Sequence, residues 1–387
     1  MGWDRQLPPM VEAPVPPMVG RWVLAGAVAV LASVLLFLLY ASEQVPQLQA
    51  LNIWALSVSP ILVWVLAFGA RAYSHGGAVN HHRFFEDEVQ SIQQAWAEWA
   101  HRYLAVHASC VLLPDDICAS VLTRPPVHSP IRTGEARRVA ALPAQKEDRA
   151  QAGLQLLLAA LKPVLQTMSA EQELRVTLLS DVDPRSYESL RDVWRRNWAS
   201  FAHQVQPGVV TLAEELSYDW LDEKIKTASP AFELIIVVQV HGEAMYSDGL
   251  AAMLLCPDRL APAWKLPVMA CLFRPMPLNI DSLKSELPLF LKAQSSACRA
   301  TGLLADRADW LALLGKIITG SGACGVSLKA EQQWIQESLC GLAGPLGHWL
   351  MLALGVEVVR HRHQPLMVLA KENSTHWIGT VGTGELV

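Results

Sequence analysis

Charge is the first thing this 387-residue chain is short of: only 17% of its residues are Asp, Glu, Lys or Arg, against about 25% in an average soluble domain. A basic balance is missing too. The formal net charge is −5 and the pI is near 6.2, so there is no electrostatic footprint for nucleic acid. The seven cysteines (Cys110, Cys118, Cys256, Cys271, Cys298, Cys324 and Cys340) are odd in number and form no C-x-x-C pair. That excludes a zinc or disulfide framework and favours reduced thiols packed as small hydrophobes in a cytosolic domain. The glycine-rich stretch Gly320–Gly325 (GSGACG) lacks the G-K-S/T ending of a phosphate loop and the spacing of a dinucleotide fingerprint, and reads as a flexible turn. No cofactor and no metal ion are expected. The sequence shows no low-complexity tract and no internal repeat.

What the chain has instead is apolar length. Trp22–Ser42 carries no charge and is long enough to cross a bilayer of about 30 Å at 1.5 Å per residue. A second stretch, Asn52–Ala70, also has spanning length, with Pro60 tolerable inside a membrane helix. The connecting ASEQVPQLQAL has no Lys or Arg, whereas Arg5, Arg21, Arg71 and Arg83 flank the two spans. The positive-inside rule then predicts a multi-pass inner-membrane protein whose termini and soluble domain are cytoplasmic, with lipid contact through residues 22–70. A signal peptide fits poorly, because the apolar run is long and a second span follows at once.

The expected organisation is a cytoplasmic tail (1–21), a transmembrane helical hairpin (22–71), an amphipathic helix with its lead-in (84–122), a flexible proline-rich loop (123–152) and an α/β domain (153–387). The apolar spacing of Phe84–His107 predicts a helix, with short strands or linkers at 111–113 and 117–122. Further helices are predicted at 150–165, 187–201, 212–225, 283–302, 307–317 and 346–360. Strands are predicted at 174–179, 234–240, 250–255, 268–273, 365–370 and 377–381. Strands and helices alternate loosely, which favours a layered α/β fold.

Chemistry is concentrated in HGEAMYSDG (241–249), between two apolar runs. His241, Glu243, Ser247 and Asp248 could supply a base, an acid or a nucleophile. The segment lacks the G-x-S-x-G elbow, however, and polar residues are what any strand connection requires. Cys324 has no basic neighbour in sequence to lower its pKa. His348 and the group His361-Arg362-His363 invite a metal, but the latter follows an apolar helix, where cations suit the C-terminal end. Just past the second span, His75, His81 and His82 are placed to meet lipid headgroups. Trp194, Trp198 and Phe201 read as core.

Two stretches carry a resemblance. YSDGLAAMLL (246–255), after the strand ELIIVVQV, resembles the S-E-G-A-A-A-L-V-L segment of ketoacyl synthases and other thiolase-like proteins. GPLGHWLMLALGVEVVRHRHQPLMVLA (344–370) is similar to that family's later G-H-x-x-A-A-x-G segment, with His348 at the histidine position. The resemblance implies a thiolase-like fold. It also expects a D-T-A-C-S-type nucleophile turn upstream, but WASFAHQVQPGVVTLAEEL (198–216) holds no cysteine, and no P-x-H-G-T-G-T element lies between the two segments. Without a thiolate the family's acyl transfer has no nucleophile. A membrane anchor on a silent thiolase-like domain resembles the adaptors of type VI secretion effectors such as phospholipases. The implied function is a non-enzymatic binding protein with a protein partner. Two alternatives stay open: a membrane-bound acyl- or ester-processing enzyme using His241, Ser247 or Cys324, and an immunity protein against a membrane-acting toxin.

Overall fold

The computed structural model describes residue 3 and residues 12–43, 52–124, 134–169, 171–201, 207–227 and 229–384. They fall into two compact units, Met1–Trp96 and Ala97–Val387.

In the first unit, helix α1 (Val19–Ala41) is followed by the start of α2 (Ile53–His101), which continues unbroken through Pro60. Both helices are long and apolar enough to cross a membrane, and almost none of either apolar stretch is covered by protein. They touch where Trp64 Nε1 donates to Trp22 O at 3.0 Å and the Trp64 ring stacks on Phe68. The helix predicted from Phe84 is thus the distal part of α2, and it ends at His101 rather than His107.

The second unit is built on strands. β1 (Tyr103–Leu112) precedes the short helix α3 (Ala119–Leu122), so residues 103–107 are strand and 119–122 are helix, against the prediction at both places. Pairing decides this: β1 lies between β5 (Gly249–Pro257) and β6 (Ala270–Phe273), hydrogen-bonded to both, and neither partner is visible in the local pattern. Between β1 and β5 come α4 (Lys146–Leu165), β2 (Leu174–Ser180), α5 (Tyr187–Phe201), β3 (Pro207–Ala213), α6 (Trp220–Thr227) and β4 (Phe232–Gln239). Helix α4 starts well before residue 153, and residues 134–145 of the expected loop are pinned by hydrogen bonds described below. The helix predicted over 212–225 is split: the β-branched Val209-Val210-Thr211 pairs in parallel with β2, and only Trp220–Thr227 is helical. After β5 come α7 (Leu260–Ala263), β6, β7 (Met276–Leu278), α8 (Leu283–Ala293), α9 (Ser295–Cys298), β8 (Gly302–Ala305), α10 (Leu311–Ala323), β9 (Gln333–Ile335), α11 (Gln336–Cys340), α12 (Gly347–Arg362), β10 (Leu366–Glu372) and β11 (Thr375–Thr383). Residues 320–323 close α10 instead of forming a turn.

The eleven strands among the described residues form one sheet, in the order β3-β2-β4-β5-β1-β6-β11-β10-β8-β9, with β7 on β11. The first five strands are ordered 3-2-4-5-1. Counted from β6 with β7 set aside, the last five give the same order when read inward from the opposite edge, and the fifth strand is antiparallel to its neighbours in both halves. The chain therefore carries an internal structural repeat that the sequence does not advertise. Its clearest trace is a shared device. Leu178-Leu179-Ser180-Asp181 ends β2, and Asp181 accepts the N–H of Val240 beyond β4. Leu303-Leu304-Ala305-Asp306 ends β8, and Asp306 accepts the N–H of Lys371 on β10.

Strand β4 is buried on both faces, which its central apolar run Leu234–Val238 requires. Its Leu234, Ile236 and Val238 face α4 and α5, joining Leu154, Leu157, Val193 and Trp194. Its Ile235 and Val237 face the other way, into a core shared by both halves and centred on α6 and α12. Helix α12 is buried nearly all round and has no polar face, as a helix enclosed in a core should. Buried Arg274, just past β6, stacks on Trp99 at 4.1 Å and donates to Asp222 of α6.

Candidate functional site

His241–Gly249 joins antiparallel β4 and β5, and its polar side chains are divided among Asp181, Lys146 and the 134–149 segment. Asp181 takes N–H bonds from Val240 (2.9 Å) and His241 (2.7 Å) and the Tyr246 hydroxyl at 3.2 Å. The His241 ring stands beside it, Nδ1 at 3.7 Å from Oδ1. Burial, and then the Asp181 carboxylate, push the Tyr246 phenol up. Glu243 sits in the left-handed region (φ 51°) and reaches Lys146 on the surface, which holds its carboxyl below the usual range.

Ser247 and Asp248 point away from that group and clamp the 134–145 segment. Ser247 Oγ accepts from Arg137 N at 3.0 Å, and Ser247 N donates to Leu342 O at 2.9 Å. Asp248 Oδ2 accepts from Val139 N at 2.9 Å and from buried Arg149 on α4. Burial raises the Asp248 carboxyl, with the Val139 N–H and Arg149 opposing it. The clamp admits no side chain at Gly341: its φ is +88°, and a Cβ there would lie 2.2 Å from Glu135 O and 2.6 Å from Ser247 Oγ. An acid and a hydroxyl next to each other in sequence are thus committed to backbone donors and a guanidinium. The arrangement is a strand connection that also fastens a loop.

His348 lies elsewhere, at the buried start of α12. Its Nε2 is 3.3 Å from Leu216 O, the atom that Trp349 Nε1 also reaches at 2.8 Å. Two regions marked by the resemblance therefore meet here: the end of 198–216, where a thiolate is expected, and the G-H turn. No cysteine lies on the connection between β3 and α6; Tyr218 and Trp220 fill the space. The Tyr218 ring is 6.0 Å from His348, 6.2 Å from Trp349 and 5.9 Å from Trp377, and Trp220 meets Trp349 edge-on at 5.9 Å. Burial drives the His348 imidazole down to about 4, so it is neutral at pH 7, and the same cause raises the Tyr218 phenol.

Five of the seven thiols are held in the protonated form. Burial pushes Cys110, Cys256, Cys271 and Cys340 up to about 12, and Cys298 is also raised. Exposed Cys324 caps the C-terminus of α10. His363 is the left-handed C-cap of α12 (φ 54°), its N–H donating to Val359 O at 2.8 Å. Among the described residues no group of three or more His, Cys, Asp or Glu is placed to hold a metal. His81 and His82 lie on α2, beside Phe85 and Glu86. Sequence reasoning missed Asp181, Tyr246 and the aromatic plug. The recurrence of Leu-Leu-x-Asp at 178–181 and 303–306 was the one local signal for the first.

No protein family matches the sequence, and no curated protein is similar to it. Solved structures are. The ketosynthase from module 1 of the bacillaene synthase of Bacillus amyloliquefaciens FZB42 is 9% identical over 73% of this chain and 76% of its own, with a TM-score of 0.50. The type II polyketide synthase ketosynthase of AntDE:AntF, solved with its acyl-carrier protein, is 8% identical over 73% and 99%, TM-score 0.49. 3-Oxoacyl-[acyl-carrier-protein] synthase III from Aquifex aeolicus VF5 is 11% identical over 72% and 99%, TM-score 0.44. At these identities the likeness speaks for the fold alone, and that fold is thiolase-like.

Proposed function

We infer that this chain is a non-catalytic thiolase-like binding protein. Residues 22–70 tether it to the inner membrane, and its α/β body serves a protein partner on the cytoplasmic side. One observation carries the reading. Where the β3–α6 connection meets the start of α12, Tyr218, Trp220, His348 and Trp349 pack against one another, the connection itself holds no cysteine, burial pushes the thiol of nearby Cys340 up to about 12, and the imidazole is neutral. A covalent acyl transfer needs a thiolate or an activated hydroxyl beside a base; here the imidazole faces a main-chain carbonyl. The partner class that the membrane anchor and the silent fold together suggest is an effector of a secretion machine, escorted by this protein as an adaptor.

The test is acylation. The full chain, solubilised in detergent, is incubated with an S-acyl-N-acetylcysteamine thioester and analysed by intact-mass spectrometry. No adduct is expected on any buried thiol and no thioester is consumed. An acyl group on a residue lining the α6–α12 junction, or steady turnover, would sink the reading. Crosslinking in the source cells, followed by identification of what is bound, then tests the effector assignment: a secreted effector upholds it, and a different protein replaces it.

A further inference from the structure

The internal repeat supplies a control within one molecule. Helices α5 and α10 occupy equivalent places, each leading from strand 2 to strand 3 of its half. The outward face of α5 carries exposed Glu188, Asp192, Arg195 and Arg196, a solvated surface. The outward face of α10 carries Leu311, Ala312, Gly315, Thr319 and Gly322, with Lys316 its only charge. Leu311 is 57% exposed, and nothing lies within 4 Å of where a Cβ would stand on Gly315 or Gly322. One repeat thus exposes a charged face, and the other a face of small residues with a single exposed leucine.

Beside α10 runs a groove of about 770 Å³, floored by β9 with Trp334 and Ile335, walled by Leu311 and Leu314, and rimmed by Arg124 and Arg362. β9 is the last strand of the sheet and pairs only with β8, so among the described residues its outer edge has no strand partner. Glu331 is the one carboxylate on the lining, against those two guanidiniums.

We propose that this groove receives an extended segment of the partner protein, which adds a strand to the edge of β9, lays apolar side chains on Leu311 and Leu314, and places a carboxylate between Arg124 and Arg362. Main-chain pairing supplies affinity and the alternating side chains supply choice; the arginines favour an acidic sequence and disfavour a basic one. A helix would leave the strand edge unpaired. The inference deepens the binding role proposed above by naming its surface.

The probe is a fluorescein-labelled peptide, acetyl-Glu-Val-Glu-Ile-Glu-Val-amide, titrated by anisotropy against the full chain in lipid nanodiscs. Saturable binding is expected, weakened by about tenfold or more in R124E/R362E and in L311K, and abolished when the central isoleucine is replaced by proline. Hydrogen exchange should slow at Gln333–Ile335 when the peptide is present. No saturable binding, equal binding by R124E/R362E, or tighter binding of an equally charged helical peptide overturns the proposal. Its failure is separable from that of the binding role. A partner crosslinked equally by native chain and R124E/R362E removes the groove and leaves the role standing, whereas acyl turnover removes the role and leaves peptide binding to be judged by itself.

Discussion

Replacing Trp349 by alanine tests whether the interior is full. The indole is fully buried, edge-on to Trp220 at 5.9 Å and tilted against Tyr218 at 6.2 Å. Its Nε1 also satisfies Leu216 O at 2.8 Å. Removing such a side chain costs about 3–5 kcal/mol when the surroundings cannot collapse, the void itself adding about 24 cal/mol per Å³. Three neighbouring rings and two central helices give little room for collapse, so the upper half of that range is expected. The lost hydrogen bond adds little, since His348 Nε2 still faces the same carbonyl. Against a total stability of roughly 5–15 kcal/mol this is a large fraction. The assay is denaturant unfolding of the full chain in detergent, native against Trp349→Ala, with and without indole. Indole should refill the void and restore about 1.4 kcal/mol at ten times its dissociation constant, while leaving the native chain unchanged. A loss below about 1 kcal/mol with no response to indole would mean that the space is already open, and the argument from a filled interior would be refuted.

Asp248→Ala leaves Arg149 charged and buried without its carboxylate, so unfolding experiments should show a loss of about 3–5 kcal/mol, whereas Arg149→Met/Asp248→Leu together should lose much less. Asp306 and His348 pull pH dependence in opposite directions. Burial raises the Asp306 carboxyl from 3.8 to about 6, so the folded state holds a proton that the unfolded state has lost, and stability rises as pH falls from about 6 to 4. Burial lowers His348 from 6.5 to about 4, so the unfolded state binds the extra proton and stability falls over nearly the same window. Asp306→Asn should therefore unmask acid lability: relative to the native chain its stability should drop by about 3 kcal/mol between pH 7 and pH 4, as a two-unit shift implies, and parallel curves would refute the assignment. For the membrane tether, reporter fusions after Glu12 and at the C-terminus should both score as cytoplasmic, and the chain should resist alkaline carbonate extraction; a periplasmic C-terminus would reverse the proposed orientation.

Much of the fold was legible where burial writes a pattern. The largely apolar Leu234–Val240 and Leu250–Leu255 runs, the α5 periodicity and the α12 segment were each placed within a few residues, because a strand or helix enclosed on both sides has few sequences to choose from. The errors fall where pairing partners decide. Tyr103–His107 carries helix-compatible spacing and becomes strand only because β5 and β6 flank it. Leu212 and Ala213, expected at the start of a helix, instead end β3 because β2 offers a parallel edge. The loop 241–249 could be read as a strand connection from its composition, yet its partners Asp181, Arg137 and Arg149 lie dozens of residues upstream, and no local rule brings them in. The plug was unreadable for the same reason: Leu216, Tyr218 and Trp349 are ordinary core residues until two distant helices are set side by side.

Duplicated modules are commonly separable, and the layout of this sheet argues that these two are not. Only four residue pairs, Tyr103 with Phe273 through Val106 with Ala270, stitch β1 to β6, yet α12 belongs to the second half and is wrapped by strands of both. Cut between Pro257 and Ala270, either fragment would expose the greasy inner surface the other now shields. The two copies are bound to a common fate, and damage on one side of the seam must be felt on the other.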